Sequence, residues 1–260
     1  MISAKNLSLK IGGKQILDEV SFTISRGLTT SIIGPNGAGK STLIRALAGD
    51  LKLDRGELSL DGVRISALSL RALAKKRAVV MQDTAVPFSF IAAEVIGLGT
   101  APWGLSEAES SDTLGNVAWL TDVEHLLQQD IRTLSGGERQ RVQIARALAQ
   151  LWPGDRSRQV LLLDEPLSAL DIGQQQRLLK LFEMLHKRGL TIISVMHDMN
   201  AALQSSDHIL LLKEGQLLAA GATKDLNLAE LLSRAFETPL EEHRRAGLEA
   251  PLILPATSEL

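Results

Sequence analysis

The sequence predicts an α/β fold: a largely parallel sheet flanked by helices, preceded by an antiparallel β layer and interrupted by an inserted helical lobe. Three observations predict it. Period-2 apolar runs open the chain, a strand, a glycine-rich loop and a helix follow in that order, and β runs alternate with helical stripes from Val160 onward. Leu7, Leu9 and Ile11 alternate with polar neighbours, Gly12-Gly13 signals a hairpin, and Ile16, Val20, Phe22 and Ile24 continue the alternation. The run Thr29 to Ile33 reads as a buried strand entering a loop at Gly34, then a helix from Ser41 to Ala48 stopped by Gly49. A strand pair from Glu57 to Ile65 turns at Asp61-Gly62, and a further strand, Arg77 to Met81, ends at Gln82.

From Asp83 to about Leu151 the composition shifts to Ala, Ser, Glu and Leu at helical spacing, which reads as the inserted lobe. Ser106 with Glu109 fits a capping box, and Ser135 precedes a long amphipathic helix carrying Val142, Ile144, Ala145 and Leu148. Trp152 to Ser157 is a polar loop, and Val160 to Leu163 is a continuous β run. Leu178, Leu179, Phe182 and Leu185 form a helical stripe, Thr191 to Met196 reads as a buried strand, and Ile209 to Leu212 with Gln216 to Ala219 reads as a hairpin turning at Glu214-Gly215. No internal repeat is evident. The expected organisation is one domain over 1–230, with a core lobe at 1–82 and 158–230 and a helical lobe at 83–152. Residues 231–260, charged at Glu241 to Arg245, are expected to be peripheral.

Composition narrows the function. The 260 residues, 45% of them hydrophobic, suffice for a real core, and 28 basic against 30 acidic residues leave a net charge of -2, without the basic field that drives nonspecific nucleic-acid binding. Mean hydropathy is +0.08, yet no stretch approaches the roughly 18 consecutive apolar residues of a membrane span. Met1 to Lys10 does not read as a secretion signal, and the absence of cysteine excludes disulfides and thiolate metal sites and agrees with a reducing compartment. Tyrosine is also absent, and aromatic residues make up only 3%.

Gly34-Pro35-Asn36-Gly37-Ala38-Gly39-Lys40-Ser41 completes the P-loop pattern in its required place between a buried strand and a helix. Its glycines let consecutive backbone N–H groups and the helix N-terminus, with Thr42 in the first turn, face phosphates; Lys40 adds a charge, and the Ser41 hydroxyl suits Mg²⁺. Val160 to Leu163 then delivers Asp164 and Glu165 to a strand's C-terminal end, where parallel sheets place their ligands. Strand alternation lets the two carboxylates differ in role: Asp164 is assigned to the Mg²⁺ shell and Glu165 to the attacking water as general base. Leu134-Ser135-Gly136-Gly137-Glu138 has the form of a second anion cradle, although alone it would pass for a loop and helix cap.

Taken with the other segments, that motif resembles the signature of ATP-binding cassette ATPases, and the whole order fits: P-loop, Gln82, signature, Asp164-Glu165, Ser168-Ala169-Leu170-Asp171, His197. The resemblance implies a P-loop NTPase with a RecA-like core, an antiparallel β subdomain and a helical subdomain, hydrolysing ATP with Mg²⁺. It implies a homodimer in which Ser135, Gly136 and Gly137 of one copy close on the nucleotide held by the P-loop of the other, with Asp171 at the seam. Gln82 looks like the Q-loop residue that senses the γ-phosphate or Mg²⁺, and His197 like the switch histidine at the γ-phosphate. Taken singly, Gln82 is an arbitrary strand-end residue, His197 a packed histidine and Asp171 a helix cap. His125, His186, His208 and His243 lack such context and read as solvated or packed.

One position departs from the family. Its members usually stack adenine on an aromatic residue in the first strand pair; the matching position here is Ile11, which implies weak discrimination between bases while phosphate binding persists. Val86 to Phe90, Glu94 to Ile96 and Ala101 to Gly104 look like the iron-chelate and vitamin B12 importer subfamily, and Ala145 to Trp152 with the following Pro-Gly-Asp-Arg is similar to its haemin-import ATP-binding subunits. Phe88 and Phe90 could equally be core packing. The resemblance implies an ATPase subunit for haem uptake on the cytoplasmic face of a bacterial inner membrane. Its expected partners are two polytopic permease subunits, received by a groove at Gln82 to Gly104, and through them a periplasmic binding protein; no nucleic acid is expected. A siderophore or cobalamin importer, an exporter and a soluble cassette ATPase are the alternatives; the last normally carries two cassettes or a long coiled coil, and a P-loop kinase or GTPase would lack Leu134 to Glu138.

Overall fold

The computed structural model describes residues 1–82, 89–248 and 250–256. It divides into two compact units, Met1–Ala67 with Ile193–Leu260, and Leu68–Ile192, so the division falls before and after the expected helical lobe of 83–152.

In the first unit, β1 (Ile2–Ile11) and β2 (Lys14–Ile24) form the expected hairpin, with Leu9 opposite Leu17 and Ile11 opposite Lys14 across the Gly12-Gly13 turn. The alternation buries Leu7, Leu9, Leu17, Val20 and Ile24. The fully buried β3 (Thr29–Ile33) leads into α1 (Lys40–Ala48), which ends on left-handed Gly49 as predicted. Strand β4 (Arg55–Leu60) pairs with β1, and β5 (Val63–Arg64) closes a four-stranded antiparallel sheet ordered β2-β1-β4-β5.

The second unit opens with α2 (Leu70–Ala74), a helix the sequence reading missed, followed by β6 (Arg77–Val80). Ser69 caps α2 by accepting from the Ala72 N–H; five residues are too few for helical periodicity to show. Helices α3 (Ala92–Gly97), α4 (Glu107–Leu120) and α5 (Gly136–Leu151) follow. The expected capping box of Ser106 and Glu109 starts α4. Helix α5 buries Gln140 and Gln143 beside Val142, Ile144, Ala145 and Leu148, so it is covered on most sides, not on one stripe. Strand β7 (Val160–Asp164) pairs in parallel with β6, register Arg77 to Val160 through Val80 to Leu163. In α6 (Ile172–Lys187) the buried stripe is Leu178, Leu181, Phe182 and Leu185. Leu181 takes the place assigned to Leu179, because three and seven residues, not one, return a helix to the same face.

Strand β8 (Thr191–Val195) is buried throughout and carries the chain across the boundary between units. Back in the first unit come α7 (Met199–Ser205), β9 (His208–Lys213), β10 (Gln216–Ala222) and α8 (Leu228–Phe236). Strand β9 runs parallel to β3, Thr30 opposite His208, and antiparallel to β10 through the predicted Glu214-Gly215 turn. The segment expected to be peripheral forms an antiparallel ladder of β11 (Leu240–His243) and β12 (Leu252–Pro255), with Ile253 only 2% exposed. Leu228, Leu232 and Ala235 bury the apolar face of α8.

Candidate functional site

The first unit holds the P-loop. Strand β3 ends at Gly34, where a Cβ would stand 2.1 Å from the Leu212 carbonyl oxygen of β9. Pro35, Asn36, Gly37 and Ala38 carry the chain round to Gly39, the left-handed N-cap of α1, which supplies no side-chain capping bond. No side chain caps the N-terminus of α1, whose first turn holds Lys40, Ser41 and Thr42, and the helix dipole there favours negative charge. Lys40 is 6% exposed, and its ammonium donates to the carbonyls of Gly34 at 2.8 Å and Pro35 at 2.9 Å, so the charge lies along the loop.

A contact the sequence reading missed holds this loop. Gly215 donates its N–H to the Ala38 carbonyl at 3.2 Å and accepts from the Asp18 N–H at 2.9 Å, tying the β9–β10 turn to both the P-loop and β2. A Cβ at Gly215, whose φ is +81°, would stand 2.5 Å from the Ile16 carbonyl oxygen. The only sequence signal was the turn itself; its second duty depends on residues far away in the chain. Ile11, at the end of β1, is 45% exposed and presents an aliphatic edge to solvent. His197 follows β8, is exposed, and precedes Asp198, the N-cap of α7.

The second unit holds the carboxylates. Asp164 closes β7 at 2% exposure and Glu165 follows at 9%, with φ +52°. The Gln82 amide nitrogen donates to Glu165 Oε2 at 2.5 Å, so two of the predicted residues meet directly. Both the N–H and the hydroxyl of Ser168 donate to the Glu165 carbonyl, at 3.3 and 3.0 Å, and the Gln175 amide donates to the carbonyls of Leu167 and Leu170, both at 3.1 Å. This fixes the turn from Glu165 to Asp171. Asp171 itself accepts from the Gln174 N–H at 2.8 Å and caps α6.

The signature opens α5 by the same chemistry. Ser135 and Glu138 form a reciprocal capping box, the Ser135 hydroxyl donating to Glu138 Oε2 at 2.6 Å and its N–H at 2.8 Å. Those two bonds, hydroxyl first, hold the Glu138 carboxyl below its ordinary pKa. Gly136 and Gly137 lie against the Ser168–Asp171 turn: a Cβ on Gly137 would stand 2.9 Å from Gln174 Oε1 and 3.1 Å from the Ala169 carbonyl oxygen. Signature and turn are therefore one packed body in this unit.

Gln82 and Asp164 of this unit carry an amide oxygen and a carboxylate, and Ser41 of the first unit a hydroxyl, each a hard-oxygen donor of the kind Mg²⁺ takes. With its nitrogen committed to Glu165, the Gln82 amide keeps its oxygen as the acceptor.

The stretches compared with importers are mostly built into the second unit. The Trp103 indole donates to the Gln150 carbonyl at 2.8 Å, Lys75 lies 4.6 Å from the ring centroid, and Arg71 donates to the Pro102 carbonyl at 2.9 Å. Phe90 is half-buried and its carbonyl accepts from the Ile131 N–H at 2.9 Å; Val86, Pro87 and Phe88 lie outside the described residues, as does the start of the expected lobe at Asp83. Of the histidines left without a role, His125 is exposed, His243 hydrogen-bonds Glu241, and burial lowers the pKa of His208.

Comparison with known proteins identifies the family and the fold. The ABC transporter family model matches residues 17–168. A haemin import ATP-binding protein of Escherichia coli O157:H7 is 38% identical over 255 residues, covering 98% of this chain and 99% of that protein. A dimeric ATP-binding cassette in a post-hydrolysis state with ADP and phosphate superposes with a TM-score of 0.77 at 27% identity, over 86% of this chain and 99% of that one. A metal-chelate type ABC transporter in an inward-facing conformation shares the fold, with a TM-score of 0.80 at 22% identity over 98% of this chain and 97% of that one.

Proposed function

This chain belongs to the ABC transporter family and is the ATPase subunit of an importer, and from that premise we propose that it drives haem uptake. The observation that carries the cargo is the 38% identity to a haemin import ATP-binding protein over 98% of the chain, a span that includes the 145–152 stretch and the polar loop after it. Two copies pair head to tail, so that Ser135, Gly136 and Gly137 of one meet the nucleotide on the P-loop of the other, with Asp171 at the seam. Two polytopic permease subunits bind the Gln82 to Gly104 region at the cytoplasmic face of the inner membrane, and a periplasmic protein delivers cargo to them. Among the described residues no helix is long and apolar enough to cross a membrane.

In the proposed mechanism, Gly34 to Thr42 bind the phosphates through backbone N–H groups, with Lys40 as their counter-charge. Ser41, Gln82 and Asp164 would hold Mg²⁺, which when bound neutralises charge on the phosphate oxygens. Glu165 takes the proton of the attacking water, and the Gln82 amide holds that carboxylate in place. His197 contacts the γ-phosphate. Closure of the dimer on two nucleotides moves the permeases, and hydrolysis reopens it.

Base recognition is proposed to be loose. An aliphatic Ile11 edge forgoes the roughly 0.5–1.5 kcal/mol that an aromatic stack adds beyond buried area, so GTP should support turnover within about tenfold of ATP. Ile11→Tyr should widen the gap in kcat/KM; a strong preference for ATP in the unsubstituted chain contradicts this. The proposed cargo is tested by reconstituting the chain with its permease and binding protein in proteoliposomes. ATP-dependent translocation of haemin is expected, with ferric siderophores and cobalamin ineffective; the converse selectivity would move the assignment to the alternative cargo.

A further inference from the structure

We propose that the C-terminal ladder is a positioning element for His197, acting through Asn200, an inference that rests on the role given to His197 above. The ladder is seated on α7 by side-chain amides that bind its backbone as another strand would. Asn200 Oδ1 accepts from the Ile253 N–H at 2.8 Å and Asn200 Nδ2 donates to the Ile253 carbonyl at 3.1 Å, pairing both backbone groups of one β12 residue. One turn further along, Gln204 Nε2 donates to the Ala250 carbonyl at 2.7 Å.

The ladder has its own footing. Strand β11 pairs with β12 from Leu240 opposite Pro255 to His243 opposite Leu252, the Ala256 N–H donates to the Pro239 carbonyl at 2.9 Å, and the Leu240 N–H donates to the Ser233 hydroxyl of α8 at 2.9 Å. Ile253 is 2% exposed, so the pairing with Asn200 is made where water competes little.

From Asn200 the connection to His197 is short. The Asn200 N–H donates to Asp198 Oδ1 at 2.8 Å, and the Ala201 N–H reaches the same oxygen at 3.0 Å. Asp198 is the residue after His197. The side chain of Asn200 thus grips the ladder while its backbone grips the cap that sets the direction in which the chain leaves His197. Asn200 touches no reacting atom; it is a positioning residue, and the ladder is the support it leans on.

Removing the ladder by truncation could unfold the chain, so the test uses point variants of the full-length protein. Asn200→Ala, Gln204→Ala and His197→Ala are compared by ATP titration of steady-state turnover and by thermal melting. Both amide variants lose hydrogen bonds to the ladder, and their melting temperatures should fall by similar amounts. Asn200→Ala should lose about tenfold in kcat with KM within about twofold, as expected when a reacting group is displaced while binding stays intact. Gln204→Ala should keep kcat within about twofold. The proposal is overturned if Asn200→Ala keeps full kcat beside an inactive His197→Ala, or if both amide variants lose kcat alike. Full turnover by His197→Ala would instead overturn the role given to His197, and the brace with it.

Discussion

Glu165→Gln should stop ATP hydrolysis while leaving ATP bound. The substitution keeps shape and hydrogen-bonding capacity and removes only the ability to take a proton, and general-base catalysis contributes about 10²–10⁴-fold, so turnover should fall by that order. The structure gives the assignment its footing. Glu165 is 9% exposed, receives the Gln82 amide at 2.5 Å, and adopts a φ of +52° that non-glycine residues seldom occupy. That conformation is held by the two bonds from Ser168 to the Glu165 carbonyl, and a strained backbone held in place at a strand end is a common accompaniment of chemistry. Single-turnover phosphate release, with nucleotide binding measured by equilibrium dialysis, separates the two effects. Near-normal release by the variant would remove Glu165 from the role of base.

Lys40→Ala should fail at the opposite step. A hydrogen bond to a charged group is worth about 1.5–3 kcal/mol, so loss of the ammonium should weaken ATP binding by roughly 10- to 150-fold. The same side chain donates to the carbonyls of Gly34 and Pro35, at 2.8 and 2.9 Å, and its removal also takes a donor from each. The melting temperature should therefore drop modestly in the nucleotide-free protein. Calorimetric titration with ATP checks the first effect and a thermal melt the second. An unchanged Kd would show that the Lys40 charge does not contact the phosphates.

The parts of the site legible in the sequence are those whose physics is local. A P-loop needs its glycines and lysine within one strand–loop–helix, and Gly34 to Ser41 carries them consecutively. The Ser135 and Glu138 capping box is likewise written at three-residue spacing, and the meeting of Asp164 and Glu165 at the end of β7 follows from a buried run that stops at two acids. What escaped is non-local or short. Gly215 reads as a hairpin residue, and its bond to Ala38 exists only because β9 lies beside β3. Helix α2 spans too few residues to show a period. The ladder of β11 and β12 is disguised by charge, since Glu241, Glu242 and His243 sit on a strand whose stability comes from backbone pairing and from the amides of α7. Leu181, three residues beyond Leu178, completes the buried face of α6, and adjacent Leu179 does not, because one residue turns a helix by about 100°.

The proposed role of the signature depends on a second copy of the chain, and sedimentation of Glu165→Gln tests that dependence most directly. With Mg²⁺ and ATP the variant should sediment as a dimer, and with Mg²⁺ and ADP, or after the further change Ser135→Arg, as a monomer. If it binds ATP stoichiometrically and remains a monomer, Ser135, Gly136 and Gly137 do not close on a partner's nucleotide, and the head-to-tail pairing on which the mechanism rests is wrong.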